Sequence, residues 1–535
     1  MSLLETYIKE VRDIRATGAG VKETSYYPAL SNLFNEIGKT LKPKVRCVSQ
    51  LAKRGAGSPD FGLFTADQFQ KSNKEEPAPG VMPARGVIEV KGTGDDVWVV
   101  ADGGQVSKYW ERYGLVLVTN YRDFVLVGKD VEGAPVKLET YRLAAGEKEF
   151  WSAAANPRKF ATAHEERFVE YIRRVLLHSA PLEKPEDLAW FLASYARDAK
   201  ARIEGKKLQA LDSIRAALEE ALGIKFEGEK GDHFFRSTLI QTLFYGIFSS
   251  WVLWSKKHKP SDKKARFDWR MAAWSLHVPM IRALFEQVAT PTKLGPLGLE
   301  EVLDWTATAL NRVDRANFFE NFEEGHAVQY FYEPFLKAFD PELRKDLGVW
   351  YTPPEVVKYM VERVDTVLRE ERGLPDGLAD PNVYVLDPCT GTGSFLVETL
   401  KRIHKTYDEQ GAGALGGEKL KEAAKSRVFG FEILHAPFVV AHLQLGLLLQ
   451  NLGVPLSDKN NERVGVYLTN ALTGWEPPEG PQAKVSFPEL EEERDAAEHV
   501  KRDKPILVIL VNPPYNAFAG ASPQGEHGLV EPYKE

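Results

Sequence analysis

Val383-Tyr384-Val385-Leu386-Asp387-Pro388-Cys389-Thr390-Gly391-Thr392-Gly393-Ser394-Phe395-Leu396-Val397 is the stretch that sets the fold of the last third of the chain. Its apolar start reads as a short buried strand, which runs into an acid, a glycine-rich turn and a stretch with helical apolar spacing. Glycines at such a turn let the main chain approach a ligand closely, and the helix after it offers unpaired N–H groups at its start. Working outward, apolar runs at 428–431, 464–468 and 506–511 also read as strands and alternate with helical stretches. That alternation predicts an α/β doubly wound (Rossmann-like) parallel sheet with right-handed crossovers over residues 341–535. Taken alone, a glycine-rich strand-to-helix turn would serve a dinucleotide oxidoreductase equally well.

Two later features narrow the chemistry. Glu432 ends the second strand, where a carboxylate can accept hydrogen bonds from ribose hydroxyls or cap the next helix. Asn512-Pro513-Pro514-Tyr515 directly follows the apolar run Ile506-Leu507-Val508-Ile509-Leu510-Val511, so a turn stiffened by two prolines lies at the carboxyl edge of the sheet. Glycine-rich loop first and Asn-Pro-Pro-Tyr second, the pair resembles the γ-class DNA adenine-N6 methyltransferases. The resemblance implies S-adenosyl-L-methionine as cofactor, held by Asp387, Pro388, Thr390, Gly391 and Gly393, by Glu432, by Asn470, and by Tyr351-Thr352-Pro353 as the loop on the methionine part. It also implies that the Asn512 side chain and the Pro513 carbonyl accept hydrogen bonds from the exocyclic amine of a flipped adenine while Tyr515 stacks on the base. Only residues 516–535 come after Tyr515, so a partner chain or a C-terminal recognition domain is expected to supply the family's later strands and target reading.

Residues 1–145 have a different pattern. Runs at 59–64, 86–91, 115–119 and 124–127 read as strands, and the Pro-rich, charged 73–86 between them as a loop. Ser58-Pro59-Asp60 precedes Val87-Ile88-Glu89-Val90-Lys91, in which strand alternation places Glu89 and Lys91 on one face. Two carboxylates can hold Mg2+, and a lysine beside them can orient water for attack on phosphorus. This pattern resembles the PD-(D/E)xK nucleases, an α/β fold. Glu23, near the start of an expected helix, is then a further acid, and Gln105 with Tyr109, one helical turn apart, is similar to the Q-x-x-x-Y element of the RecB-like branch. Glu23 reads equally as a capping acid, and Tyr109 as core.

Between 146 and 340 strand signals vanish and apolar residues recur at helical spacing, as in Phe168, Tyr171, Ile172, Val175 and Leu176, or Leu208, Leu211, Ile214, Leu218 and Leu222. An all-α connector is expected there. The order nuclease, connector, methyltransferase resembles the multidomain single-chain restriction–modification enzymes of type IIG and type ISP. It implies an adenine-specific DNA methyltransferase with endonuclease activity on unmodified double-stranded DNA. No Walker-type loop for a helicase is present. A methyltransferase with a degenerate nuclease, or a non-catalytic subunit of a larger assembly, fits the same motifs.

Composition sets the bounds. At 535 residues the chain exceeds one ordinary domain, and 43% hydrophobic with 27% charged residues is globular rather than disordered. No apolar run of roughly 18 residues suggests a membrane span, and the N-terminus lacks a secretory pattern, so a cytoplasmic protein is expected. Cys47 and Cys389 are too few for a disulfide framework or a zinc site. The net charge of −7 speaks against a generally basic surface, yet Lys39, Lys42, Lys44, Arg46, Lys53 and Arg54 crowd one stretch and Lys256, Lys257, Lys259, Lys263, Lys264, Arg266 and Arg270 another. Such runs contact phosphates or are merely solvated.

Overall fold

A computed structural model describes the chain except residues 19–22, 50–56, 71–75, 131–132, 205–210, 213–214, 217–218, 220–224, 261, 263–264, 273–281, 283–284, 286–290, 323–330, 342–351, 458–461, 477–487 and 514–535. It divides into two compact units, Met1–Pro181 and Leu182–Glu535.

The first unit is a mixed six-stranded sheet with helices on both faces. Its strands, β1 (Val45–Ser49), β2 (Phe61–Thr65), β3 (Val87–Val90), β4 (Val116–Thr119), β5 (Asp123–Lys129) and β6 (Pro135–Arg142), lie in sequence order, all antiparallel except the parallel β3–β4 pair. Alternation along the strands divides the core. Phe64, Val87, Val116, Val118, Val125 and Val127 face the helices α3 (Val97–Ala101) and α4 (Gly104–Tyr113), burying Val97, Ala101, Val106 and Tyr109. On the opposite face Phe61 meets Tyr27 of α2 (Tyr27–Lys39), while Phe124 meets Phe168 and Tyr171. Those two aromatics lie on α6 (Pro157–Leu177), which follows α5 (Glu147–Ala154) and packs beside α1 (Leu3–Ala16). The expected boundary near 145 therefore falls inside this unit: α6 buries Phe168, Tyr171, Ile172, Val175 and Leu176 against it.

The second unit begins with helices. Among the described residues from 182 to 340 there is no strand. Within α8 (Gly228–Lys257), which comes after α7 (Pro185–Ile203), every residue from Phe235 to Val252 is buried, as expected for a helix surrounded on all sides. Of the second apolar series expected to be helical, Leu211 is buried and Leu208, Ile214, Leu218 and Leu222 lie outside the described residues. After α9 (Glu300–Asn311) and α10 (Glu333–Phe339) comes a parallel sheet of β7 (Tyr384–Asp387), β8 (Val428–Glu432), β9 (Val466–Leu468) and β10 (Ile506–Ile509). Its order is β10-β7-β8-β9, so the chain runs outward from β7 to β9 and returns to pair β10 on the other side of β7. The order reverses between β7 and β10, and ligand crevices of such sheets open at the carboxyl ends there.

Helices α11 (Pro354–Glu370), α12 (Ser394–Glu409), α13 (Gly413–Ser426), α14 (His435–Asn451) and α15 (Pro488–Asp503) complete the unit. Ala497 and Val500 of α15 pack on Leu386, Phe429 and Phe431. No helix among the described residues is long and apolar enough to cross a membrane.

Candidate functional sites

In the second unit the loop after β7 is built around two glycines with positive φ, Gly391 at 54° and Gly393 at 93°. Gly393 caps α12, and a Cβ there would sit 3.3 Å from the Cβ of Ala441 on α14, so glycine permits that close approach. At Gly391 a Cβ would meet nothing within 4 Å, so this part of the loop fronts open space. Thr390 fastens the loop: its amide donates to the Phe431 carbonyl at 2.9 Å and its hydroxyl to the Asp387 carbonyl at 2.9 Å. The side chain of Thr390 lies over Gly430, where a Cβ would collide with Thr390 Oγ1. The Thr392 carbonyl accepts from Gln444 at 2.6 Å.

Glu432 ends β8 beside this loop. One carboxylate oxygen accepts the Gly391 amide at 2.7 Å, and the other accepts Ile433 and Leu434 amides at 2.9 and 2.8 Å. It thus joins the glycine loop to the start of α14, and burial pushes its carboxyl up to about 7 against these amide bonds. Asp387 is 1% exposed. Its Oδ1 accepts the Cys389 amide at 3.1 Å, whereas its Oδ2 is buried with no hydrogen-bond partner. Burial drives this carboxyl up to about 8, and the nearby Glu432 adds to the shift. A buried acceptor without a donor is costly, and a ligand bringing a cation or an N–H would satisfy it. Pro388 lies between these anchors. Two acidic side chains beside the free space before Gly391 therefore suit a ligand with an ammonium and ribose hydroxyls, as S-adenosylmethionine has.

The Asp387 shift has a testable consequence. A folded-state value of about 8 lies above the roughly 3.9 of an unfolded aspartate, so the folded chain binds a proton that the unfolded chain releases. This contribution to stability is present at low pH and lost as pH rises toward about 8. Relative to wild type, Asp387→Asn should therefore unfold several degrees higher near pH 8, with the gain shrinking toward pH 5. An equal difference in thermal midpoint at both pH values would contradict this.

Asn512 and Pro513 come after β10, across the switch point from the glycine loop. Asn512 Nδ2 donates to Thr352 Oγ1 at 2.7 Å, joining residues 160 positions apart. Pro353 follows Thr352 and precedes α11. Tyr351, Pro514 and Tyr515 lie outside the described residues. Asn470 stands just beyond β9, and its side-chain oxygen accepts the Leu472 amide at 2.9 Å.

The first unit gathers a second cluster. Asp60 begins the approach to β2, with one oxygen accepting the Val90 amide at 2.7 Å and the other the Tyr27 hydroxyl. Glu89 on β3 is 2% exposed and bonded by Lys91. Burial pushes the Glu89 carboxyl up to about 7, with Asp60 and Glu23 adding and Lys91 opposing. Burial pulls Lys91 down, but the bond to Glu89 and the charges of Glu89, Glu23 and Asp60 outweigh it and hold the amine above its ordinary value. Glu23 opens a short 3-10 helix before α2, and burial raises its carboxyl, helped by Asp60 and Asp95. Gln105 donates to the Tyr109 hydroxyl at 3.1 Å, as the one-turn spacing requires. A Cβ at Gly57 would lie 3.1 Å from the Tyr109 ring, so Tyr109 backs the segment leading to Asp60.

Sequence reasoning missed Tyr27, although it lies one helical turn beyond Glu23, and Tyr121, which takes φ 73° and donates to the Glu23 carbonyl at 2.6 Å. Among the described residues no group of three or more His, Cys, Asp or Glu is placed to hold a metal ion. The Asp60–Glu89 pair offers hard oxygen donors, the type Mg2+ takes. Of the basic runs, Lys53, Arg54, Lys263 and Lys264 lie outside the described residues, while Lys256, Lys257, Lys259, Arg266 and Arg270 reach the surface.

Residues 323–524 match the family described as N-6 DNA Methylase, a span that holds Thr352, the Asp387–Gly393 loop, Glu432, Asn470 and Asn512. The chain carries an N-6 DNA methylase domain. It is 24% identical over 200 residues to the Type I restriction enzyme EcoEI methylase subunit of Escherichia coli, covering 35% of each chain. The chain thus spans about a third of that relative. Solved structures similar to it include a DrdV–DNA complex (21% identity, 96% of this chain and 44% of that one, TM-score 0.40). Another is a nuclease-deletion mutant of the Type ISP restriction–modification enzyme LlaGI with a DNA substrate mimic (17% identity, 69% and 29%, TM-score 0.41).

Proposed function

We propose that the protein is a fused restriction–modification enzyme of the cytoplasm. Its methylase domain transfers a methyl group from S-adenosylmethionine to the N6 amine of a flipped adenine in double-stranded DNA, and its first unit cuts unmodified DNA with Mg2+. The observation that carries the reading is the Asn512–Thr352 hydrogen bond at the switch point, because it joins the first residue of the Asn-Pro-Pro-Tyr motif to the Thr-Pro-Pro segment. When bound, S-adenosylmethionine brings an electrophilic methyl on sulfur. The chain's own residues bind and orient. Asp387 and Glu432 meet cationic and hydroxyl groups of the cofactor, and the Gly391–Gly393 backbone borders it. Asn512 and Pro513 accept from the adenine amine, which aims its lone pair at the methyl, so positioning supplies most of the rate. Tyr515 stacks on the base.

In the first unit Asp60 and Glu89 would hold the metal, and Lys91 would orient the attacking water. One observation favours a second reading, in which this unit binds DNA without cutting it: both Asp60 oxygens already accept hydrogen bonds and Lys91 is closed on Glu89. Target reading falls to a partner chain or a C-terminal recognition domain. The methylase reading is tested by incubating the chain with unmethylated plasmid and radiolabelled S-adenosylmethionine and digesting the product to nucleosides. Label in N6-methyladenosine is expected. Label confined to cytosine, or bound cofactor without any transfer, would overturn it.

A further inference from the structure

Lys501, on α15, is 6% exposed, and none of its hydrogen-bond acceptors is a carboxylate. Its ammonium donates to Thr469 Oγ1 at 2.9 Å, to the Asn470 carbonyl at 2.8 Å and to the Thr473 carbonyl at 2.8 Å. It also lies 5.0 Å from the centroid of the Phe431 ring. An ammonium has three protons, so each finds an acceptor. Burying a cation is expensive where its direct partners are dipoles and the nearby Glu498 carboxylate only partly offsets the loss of water, whereas a purely structural clamp needs no charge. All three acceptors belong to one turn, the one that leaves β9.

That turn adjoins the cofactor crevice. The Thr469 amide donates to the Glu432 carbonyl at 2.8 Å, so Thr469 connects Lys501 to the end of β8. Asn470 keeps its side-chain oxygen on the Leu472 amide, which leaves its amide nitrogen as the donor it can present. A second residue of α15 steadies the strand itself: Glu493 accepts the Leu468 amide at 2.8 Å and pairs with Arg463 at 2.5 Å. Glu493 therefore holds β9, and Lys501 holds the turn beyond it.

We propose that Lys501 is a positioning residue for the cofactor, its ammonium fixing the Thr469–Thr473 turn and Asn470 beside Glu432 so that the adenosine half of S-adenosylmethionine meets a preformed wall. The proposal rests on the methyltransferase reading. Its test is calorimetric titration of the full chain with S-adenosylmethionine and with S-adenosylhomocysteine. Lys501→Met should weaken both by about tenfold, the scale of charge-assisted hydrogen bonds lost without replacement. Lys501→Arg, which keeps the charge, should recover most of that loss. In methyl transfer, Lys501→Met should raise KM for the cofactor more than it lowers kcat. A clamp with only a structural role would lower the thermal midpoint and leave both dissociation constants in place. An unchanged dissociation constant in Lys501→Met, or in Thr469→Val should the first variant not fold, overturns the proposal. Absence of cofactor binding by the wild-type chain would instead overturn the methyltransferase reading, and this proposal with it.

Discussion

Asn512→Ala is expected to lower methyl transfer by about 10^2–10^3-fold, the scale on which a single preorganised polar group at a reacting centre acts, while cofactor affinity changes little. The separation comes from where Asn512 lies. Asp387, the Gly391–Gly393 loop and Glu432 are joined by their own hydrogen bonds, none of which involves Asn512. Asn512 instead gives its nitrogen to Thr352 Oγ1 and so presents its oxygen as the acceptor. Removing that oxygen leaves the adenine amine without one of the partners that would aim its lone pair. Thr352→Val would act through Asn512, freeing its orientation, and should cost about tenfold or less, since the acceptor itself remains. Single-turnover methylation, with calorimetry for the cofactor, separates the two effects. Cofactor binding lost in parallel with transfer would show that Asn512 supports the glycine loop rather than the base.

In the first sheet the inner strands are legible because burial on both faces leaves a short apolar run bounded by turn residues, as in Val87-Ile88-Glu89-Val90. Ile506-Leu507-Val508-Ile509 stands out by its unbroken apolar run alone, since Leu507 and Ile509 are exposed and the strand ends the order of the second sheet among the described residues. The two strands that the sequence hides, β1 and β6, are the edges of the first sheet. An edge strand has solvent along one side and carries charge and proline accordingly. Arg46 is exposed within β1, so that segment reads as part of a basic cluster, and β6 opens on exposed Pro135. The sites divide in a similar way. Asp60, Glu89, Lys91 and the Asp387–Gly393 loop can be named because each sits at the end of a recognisable strand. Tyr27, Tyr121 and Lys501 cannot, because what makes them relevant is a tertiary hydrogen bond across 33, 98 and about 30 positions respectively. Thr352 and Asn512 can each be picked out from its motif, but their mutual bond cannot.

Asp60→Asn and Lys91→Ala should each reduce DNA cleavage by about 10^3-fold or more, as expected when a metal-held or water-orienting group is lost, with methyl transfer retained. Asp60→Asn is the cleaner variant. It keeps an oxygen for the Val90 amide, 2.7 Å away, and so avoids stranding a half-buried donor, which would cost about 1–3 kcal/mol. What it removes is the charge. Lys91→Ala acts from the other side. Lys91 opposes the upward shift of Glu89, so without it the Glu89 carboxyl rises above its present value of about 7 and holds its proton at neutral pH, poorly suited to a cation. Raising the pH from about 7 to 9 should then restore part of the divalent-ion affinity of Lys91→Ala, because deprotonating Glu89 returns its charge. The same change should do little for Asp60→Asn. Mn2+ binding, followed by electron paramagnetic resonance, would read this without depending on cleavage. Cleavage of unmethylated plasmid by both variants at the wild-type rate would remove the nuclease from the first unit. A wild-type chain that binds DNA, fails to take up Mn2+ and never cuts would leave Asp60, Glu89 and Lys91 as a closed ion cluster in a DNA-binding domain.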